Sequence, residues 1–240
     1  VEILHRLNIF LSEEENRNTN PVTFFNNNYN VLNQQKGQRS NIKYAVRKDS
    51  MGNAYYSAGR LVNSPMDFSR KNRLTLPDLH KMLLSVVMPD KVQPRQRFNI
   101  TEDDRQFVLK YMSQYPTEST YPPYSADTVD YWPAYCKFLL FGASKEKPPA
   151  NIRIFNKVGD AYGQMIDVAY IVDYKNNIEF FLSAGIYCNG DGILNDDKYD
   201  YKTIGLPFLK SLGQVIYNYE LKGNHEVKPN LQPFIFTYDK

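Results

Sequence analysis

Apolar residues recur at helical spacing in three stretches of the chain and pack into strand-like runs in a fourth. Leu76, Leu79, Met82, Leu83, Val86 and Val87 form one helical stripe. Thr75-x-x-Asp78 with Pro77 marks its start, and Pro89 stops it. A second helix is expected to open at Thr101, where Glu102, Asp103 and Asp104 suit the positive end of a helix. Phe107, Val108, Tyr111 and Met112 are its expected buried face. A third is expected near Thr203, with Pro207 tolerated in the first turn. Leu206, Leu209, Leu212, Val215, Ile216 and Tyr219 fall on its stripe. Tyr135 to Phe141 reads as a short buried helix.

Residues 150–190 read instead as three consecutive strands joined by tight turns. The first runs from Ile152 to Asn156 and ends in Lys157-Val158-Gly159; the second is Met165 to Val172; the third is Ile178 to Cys188. Lys175-Asn176-Asn177 closes a hairpin between the last two. The third alternates with period two, Ile178, Phe180, Leu182, Ala184 and Ile186 against Glu179, Phe181, Ser183, Gly185 and Tyr187. Both faces are largely apolar, as in a central strand covered on both sides.

The flanking stretches are less regular. Ile3-Leu4-x-x-Leu7-x-Ile9-x-Leu11 is an amphipathic fragment, and Ser12 with Glu15 fits a capping box. Asn18 to Asn33 reads as a long ordered loop tucked down by Phe24 and Phe25. Lys43 to Arg47 and Ala54 to Ala58 read as the arms of a polar hairpin, linked by Asp49-Ser50-Met51-Gly52-Asn53; Leu61 to Phe68 reads as extended. Residues 116–149, rich in Pro and Tyr, read as a loop wrapped onto the body. Residues 223–240 read as a polar tail with aromatic anchoring. There is no internal repeat and no phosphate-cradling glycine loop. The expected organisation is a single domain over 1–222, with a hairpin insertion at about 36–74, and a tail.

Composition narrows the classes. At 240 residues, 42% hydrophobic and 23% charged, the chain has enough apolar content for a proper core. No run approaches the roughly 18 apolar residues of a membrane span. The net charge of +3 is unclustered, which argues against a nucleic-acid partner. The 19 tyrosines suit grooves and interfaces. Cys136 and Cys188 are expected as buried thiols, a disulfide being the alternative. His5, His80 and His225 are too scattered for a zinc site. The chain starts without Met or a signal peptide, so a processed or truncated product is expected.

Lys157-Val158-Gly159 on an apolar strand, Gly163 a few residues on, then two further strands and a long helix resemble the closing part of class A β-lactamases and related DD-peptidases. Those enzymes carry Lys-Thr-Gly on the strand that lines the active site. The combination of His5-Arg6-Leu7, Leu11-Ser12-x-Glu14-Glu15-Asn16-Arg17-x-Thr19-Asn20-Pro21, Asp67-Phe68-Ser69-x-Lys71-Asn72, Asn156-Lys157-Val158-Gly159 and Asp196-Asp197-Lys198-Tyr199 resembles a β-lactamase-related group of bacterial serine hydrolases. The resemblance implies an α/β (α+β) fold, an antiparallel sheet flanked by helices, incomplete at its N-terminus. It implies acyl-enzyme chemistry without cofactor or metal, in the periplasm or cell envelope, on a small peptide-like or β-lactam-like substrate. Lys157 would stabilise developing negative charge. Gly159 would let a substrate backbone approach. The Asp160 N–H would be an oxyanion donor, and Asn156, Val158 and Tyr162 would contact substrate.

The family's nucleophile stands in Ser-x-x-Lys at the start of a helix. Ser40-Asn41-Ile42-Lys43 and Ser144-Lys145-Glu146-Lys147 match in form, but neither opens an apolar helix. The nucleophile is therefore expected upstream of Val1, and the missing N-terminal segment is an expected partner. Val158 stands where the family has a hydroxyl, and Asp160 is a poor neighbour for an anionic substrate. A non-catalytic peptide-binding or peptidoglycan-binding protein on the same fold is the second reading. Glu14-x-x-x-Asn18 fits the family's Ω loop or plain helix capping. Asn189-Gly190-Asp191-Gly192 resembles a calcium loop in composition only and reads as a turn.

Overall fold

The computed structural model describes residues 12–26, 28–34, 36–43, 47–124, 131–223 and 226–239. In chain order these form α1 (Glu13–Arg17), β1 (Thr23–Phe25), β2 (Val31–Gln34), β3 (Ser50–Met51), β4 (Ala54–Ser57), β5 (Arg60–Val62), β6 (Met66–Asp67), α2 (Leu76–Val87), α3 (Glu102–Ser113), α4 (Phe138–Phe141), β7 (Ile152–Ala161), β8 (Gln164–Asp173), β9 (Ile178–Tyr187), β10 (Ile193–Leu194) and α5 (Leu206–Lys222). The architecture is mixed α+β: several small sheets, one of them three-stranded, antiparallel and packed against helices. The chain divides into two compact units, Val1–Thr75 with Gly192–Asp196, and Leu76–Asp191 with Asp197–Lys240.

In the first unit the capping box forms as expected: Glu15 N–H donates to Ser12 Oγ, and the Glu15 carboxylate accepts from Ser12 N–H at 2.8 Å. The expected loop over 18–33 is instead a hairpin, because β1 pairs with β2. Phe24 and Phe25 do not tuck it down; both are exposed. The expected hairpin of 43–47 with 54–58 is not the one formed. β4 pairs with β5 on one side and β10 on the other, so both its edges are taken. The turn lies at Ala58-Gly59, two residues that both adopt positive φ and match strand twist. Residues 1–11, with the amphipathic fragment, and residues 44–46 lie outside the described residues.

The second unit is built on β7-β8-β9, in register from Ile152↔Asp173 to Ala161↔Gln164 and from Gln164↔Tyr187 to Asp173↔Ile178. Tyr162-Gly163 makes the first turn, both at positive φ; a side chain at Gly163 would lie 2.6 Å from Asn189 Cβ. Asp173 Oδ1 accepts from Lys175 and Asn176 N–H and so shapes the second turn. One face of the sheet (Ile154, Met165, Ala169, Ile171, Ala184) packs on α4 and α5. The other (Phe155, Val168, Tyr170, Val172) packs on Leu83 and Val87 of α2, Leu109 of α3, and Leu231 and Phe234. His80 Nδ1 lies 2.7 Å from Ser183 Oγ and ties α2 to β9. The expected anchoring of the C-terminal tail is thus carried by buried apolar residues.

Several sequence expectations are corrected here. The fully covered strand is β8, with seven consecutive buried residues from Asp167 to Asp173, not β9, which is an edge among the described strands. The buried face of α3 is Leu109 and Ser113, with Met112 beside them; Phe107, Val108 and Tyr111 point outward. Arg105 sets that rotation, since its guanidinium donates to the carbonyl of Val87 at 3.2 Å. Phe107 and Tyr111 meet in a tilted ring contact on the outer side. On α5 the contact line runs Leu206–Leu209–Gly213, while Val215 and Tyr219 are exposed. A Cβ at Gly213 would lie 2.5 Å from Leu140 N, so the helix packs there through bare backbone. α4 is a buried turn more than a helix, with Leu139 and Leu140 off helical dihedrals.

The two faces of α3 make opposite forecasts. Leu109→Ala is expected to cost about 2–5 kcal/mol of stability, and Phe107→Ala about 1 kcal/mol or less, both by urea unfolding. Equal costs would return α3 to the rotation expected from its apolar stripe.

Candidate functional site: an open strand edge beside a tyrosine-walled cleft

β7 bonds to β8 through its odd-numbered residues, so the backbone groups of Ile152, Ile154, Asn156, Val158 and Asp160 face away from the sheet. The carbonyls of the first two are occupied, as is the Ile152 N–H. Ile152 N–H donates to Pro149 C=O at 3.1 Å. The Tyr115 hydroxyl donates to Ile152 C=O at 3.0 Å, and Lys137 Nζ to Ile154 C=O at 2.9 Å. Farther on, Lys157 Nζ reaches the carbonyl of Val158. The N–H groups of Val158 and Asp160 have no hydrogen-bond partner among the described residues. Such an edge offers a ladder to another extended chain.

Beside this open stretch lies a cleft of about 460 Å³. Tyr111 and Tyr115 wall one part, Tyr124, Tyr131 and Tyr135 another, and Asn156, Lys157 and Val158 border it. Tyr124, Tyr131, Tyr135 and Trp132 form a series of one tilted and two edge-to-face contacts, with ring centroids 4.8, 5.1 and 4.9 Å apart. A larger cleft of about 820 Å³ lies at the β8–β9 turn, among Met88, Arg105, Glu179 and Pro229. Arg105 there is already bound to Glu102 at 2.6 and 2.7 Å, and no expected site residue borders it.

A buried polar chain underlies the open edge. Lys137 Nζ donates to Asn156 Oδ1 at 2.8 Å and to the carbonyl of Met112. Asn156 Nδ2 donates to Asp167 Oδ1 and to Cys136 C=O, each at 2.8 Å. Asp167 Oδ2 accepts from Leu139 N–H at 3.0 Å. All three side chains are buried. Burial pulls the Lys137 ammonium down to about 8, against the attraction of Asp167. Burial likewise pushes the Asp167 carboxyl up to about 6, despite the donors from Leu139 and Asn156. Burial raises the Cys136 thiol as well, which disfavours its thiolate.

The sequence-predicted residues fall into three groups. Lys157, Val158 and Asp160 do lie on the open part of the edge, Lys157 and Asp160 exposed and Val158 half-buried. However, Lys157-Val158-Gly159 does not end its strand, which runs on to Ala161. Asn156 is spent on the buried chain. Gly159 is not demanded by the fold, since an added Cβ would only touch Ile166 at 3.4 and 3.6 Å. Tyr162 sits in the β7–β8 turn, half-buried, its hydroxyl pKa raised by burial. Glu14 and Asn18 belong to the first unit. Asn18 Nδ2 donates to Glu14 C=O at 2.7 Å, and Arg39 holds the Glu14 carboxylate with two bonds at 2.9 and 3.0 Å. That Arg39 pairing, with Asn18, depresses the Glu14 pKa.

Ser40 and Ser144 sit in irregular segments, Ser40 buried, and its Oγ accepts from Ile42 N–H at 3.3 Å. Residues 189–192 are a bend, with Gly190 N–H donating to Asp200 at 2.9 Å. Both cysteines are free thiols. Among the described residues no cluster of His, Cys, Asp and Glu could hold a metal, and no helix is long and apolar enough to cross a membrane. Lys137 and Asp167 were not among the sequence candidates. The signal for both is a single charge inside an apolar run, Tyr-Cys-Lys137-Phe-Leu-Leu-Phe and Met-Ile-Asp167-Val-Ala.

Titration tests the buried chain. In the unfolded chain Asp167 titrates near 3.8, in the folded one near 6. The folded state therefore holds the proton more tightly, and this contribution to stability is present below pH 4 and lost as pH rises to 6. Urea unfolding across that window is expected to show wild type losing stability relative to Asp167→Asn, where the titration is gone. Parallel pH profiles would refute a buried, titrating Asp167.

No family model, curated protein or solved structure matches this chain.

Proposed function

We propose that the open edge of β7 is the substrate wall of a β-lactamase-like serine hydrolase that acts on peptide-like or β-lactam-like amides, or on esters, with its nucleophile outside this chain. One observation carries the reading: among the described residues, the Val158 and Asp160 N–H groups lie unpaired on a strand edge that borders a cleft. An extended substrate adds there as a further strand, through main-chain bonds. The Asp160 N–H then serves as one oxyanion donor, fixed in direction by the sheet before the substrate arrives. Lys157 places a cation beside it. The protein on this reading works in the periplasm or cell envelope.

Val158 and Asp160 also support the second reading, a non-catalytic binder of peptides or peptidoglycan. Val158 offers no hydroxyl to a substrate carboxylate, and Asp160 places an exposed acid next to the oxyanion donor. Such a wall pairs with a neutral peptide backbone more readily than with an anionic lactam.

A fluorescent penicillin or fluorophosphonate is expected to label the full-length protein that carries Ser-x-x-Lys, and not this chain. Gly159→Ala is expected to leave the melting temperature nearly unchanged, since its Cβ meets only Ile166. It should slow labelling on the order of tenfold to a hundredfold by displacing the substrate strand. An unlabelled full-length protein would end the enzymatic reading. Retained peptide binding would then favour the binder.

A further inference from the structure

The edge of β7 is closed at one end and open at the other, and the closure is made by side chains. Ile152 C=O is taken by the Tyr115 hydroxyl and Ile154 C=O by Lys137 Nζ, while the N–H groups of Val158 and Asp160 are left unpaired among the described residues. Both plugs are buried. Each comes from a different element: Tyr115 from just beyond α3, Lys137 from just before α4. Neither is free to swing away. Tyr115 packs edge-on against Phe141 at 6.4 Å and under the Arg153 guanidinium at 4.7 Å. Lys137 has two further acceptors, Met112 C=O and Asn156 Oδ1.

We propose that Lys137 and Tyr115 are positioning residues that fix the register of the bound strand, because they occupy the carbonyls at which pairing would otherwise continue. This rests on the reading of the β7 edge as a strand-binding site. The outward residues left to a ligand are Asn156, Val158 and Asp160; the Val158 carbonyl is reached by Lys157 Nζ, but that side chain is exposed and can give way, unlike the buried Lys137. In an antiparallel ladder every second ligand residue faces one of them, so about five ligand residues can pair. At Ile154 the ligand must leave the edge, and the tyrosines of the adjoining cleft are the surface it meets. The ligand class that follows is a short extended peptide segment whose next residues turn off the strand, not a long uninterrupted strand. Lys137 also sets the Asn156 side chain, so the plug and the first pairing residue are held by one ammonium.

The test uses this chain with blocked threonine–valine peptides of three, five, seven and nine residues as probes. Affinity is expected to rise from three to five residues and then to stay level. With saturating five-residue probe, amide exchange is expected to slow at Val158 and Asp160, with no added protection at Ile154. Lys137→Met, alone and with Tyr115→Phe, frees the plugged carbonyls. In these variants affinity should keep rising at seven and nine residues, by roughly fivefold for each added hydrogen bond. Wild-type affinity that climbs steadily to nine residues, or new protection at Ile154, would overturn the register stop while leaving the binding edge intact. No protection at Val158 or Asp160 with any probe would overturn the binding edge itself. Should Lys137→Met fail to fold, the wild-type length series and exchange pattern decide.

Discussion

Two buried charges, Lys137 and Asp167, organise the second unit, and both are satisfied through one neutral side chain, Asn156. An unpaired ion in a protein interior is too costly to persist, so the backbone around it must deliver donors or acceptors. Asp167 stands on the central strand and takes the N–H of Leu139. Lys137 takes the carbonyls of Met112 and Ile154. Together they pin the segment from Cys136 to Leu140 against β7. The segment accepts positive φ at Cys136 and Leu140, a conformation non-glycine residues adopt at a cost. With Leu139 and Leu140 fixed there, α5 passes their backbone at a position that carries no side chain, Gly213. The same ammonium also takes the outward carbonyl of Ile154 on β7.

The strands and helix starts were legible because they are local. Residues 150–190 gave three strands and two turns, since alternation and turn residues act within a few positions. Thr101 with its three acids gave the N-terminus of α3 for the same reason; the Thr101–Asp104 capping box forms as such a sequence favours. The rotation of α3 was not legible. Phe107, Val108, Leu109, Tyr111 and Met112 cover most of the helix circumference, so periodicity cannot choose among them. The choice is made at long range, by Arg105 on the end of α2 and by Ser113 on Tyr238. The contact at Gly213 was not legible either, because a contact made by the absence of a side chain leaves no apolar mark.

The site divides along the same line. The exposed part, Lys157 through Asp160, stands out as a motif. The part that holds it in place does not, because Lys137 and Asp167 are distant in sequence and meet only through Asn156. Glu14 and Asn18 illustrate the converse. Their spacing fits a motif, yet a side-chain bond to the i−4 carbonyl and a surface pairing with Arg39 account for both residues within the first unit.

Glycine usage distinguishes what folding needs from what the open edge leaves available. At Gly163 and Gly213 an added Cβ would strike Asn189 at 2.6 Å or Leu140 N at 2.5 Å, so the fold demands glycine. At Gly159 it would rest on Ile166 at an ordinary 3.4 Å, and φ there is not positive. Gly159 and Lys157 project on the same face of β7, two residues apart. Among the described residues, packing does not require glycine at 159, in contrast to Gly163 and Gly213.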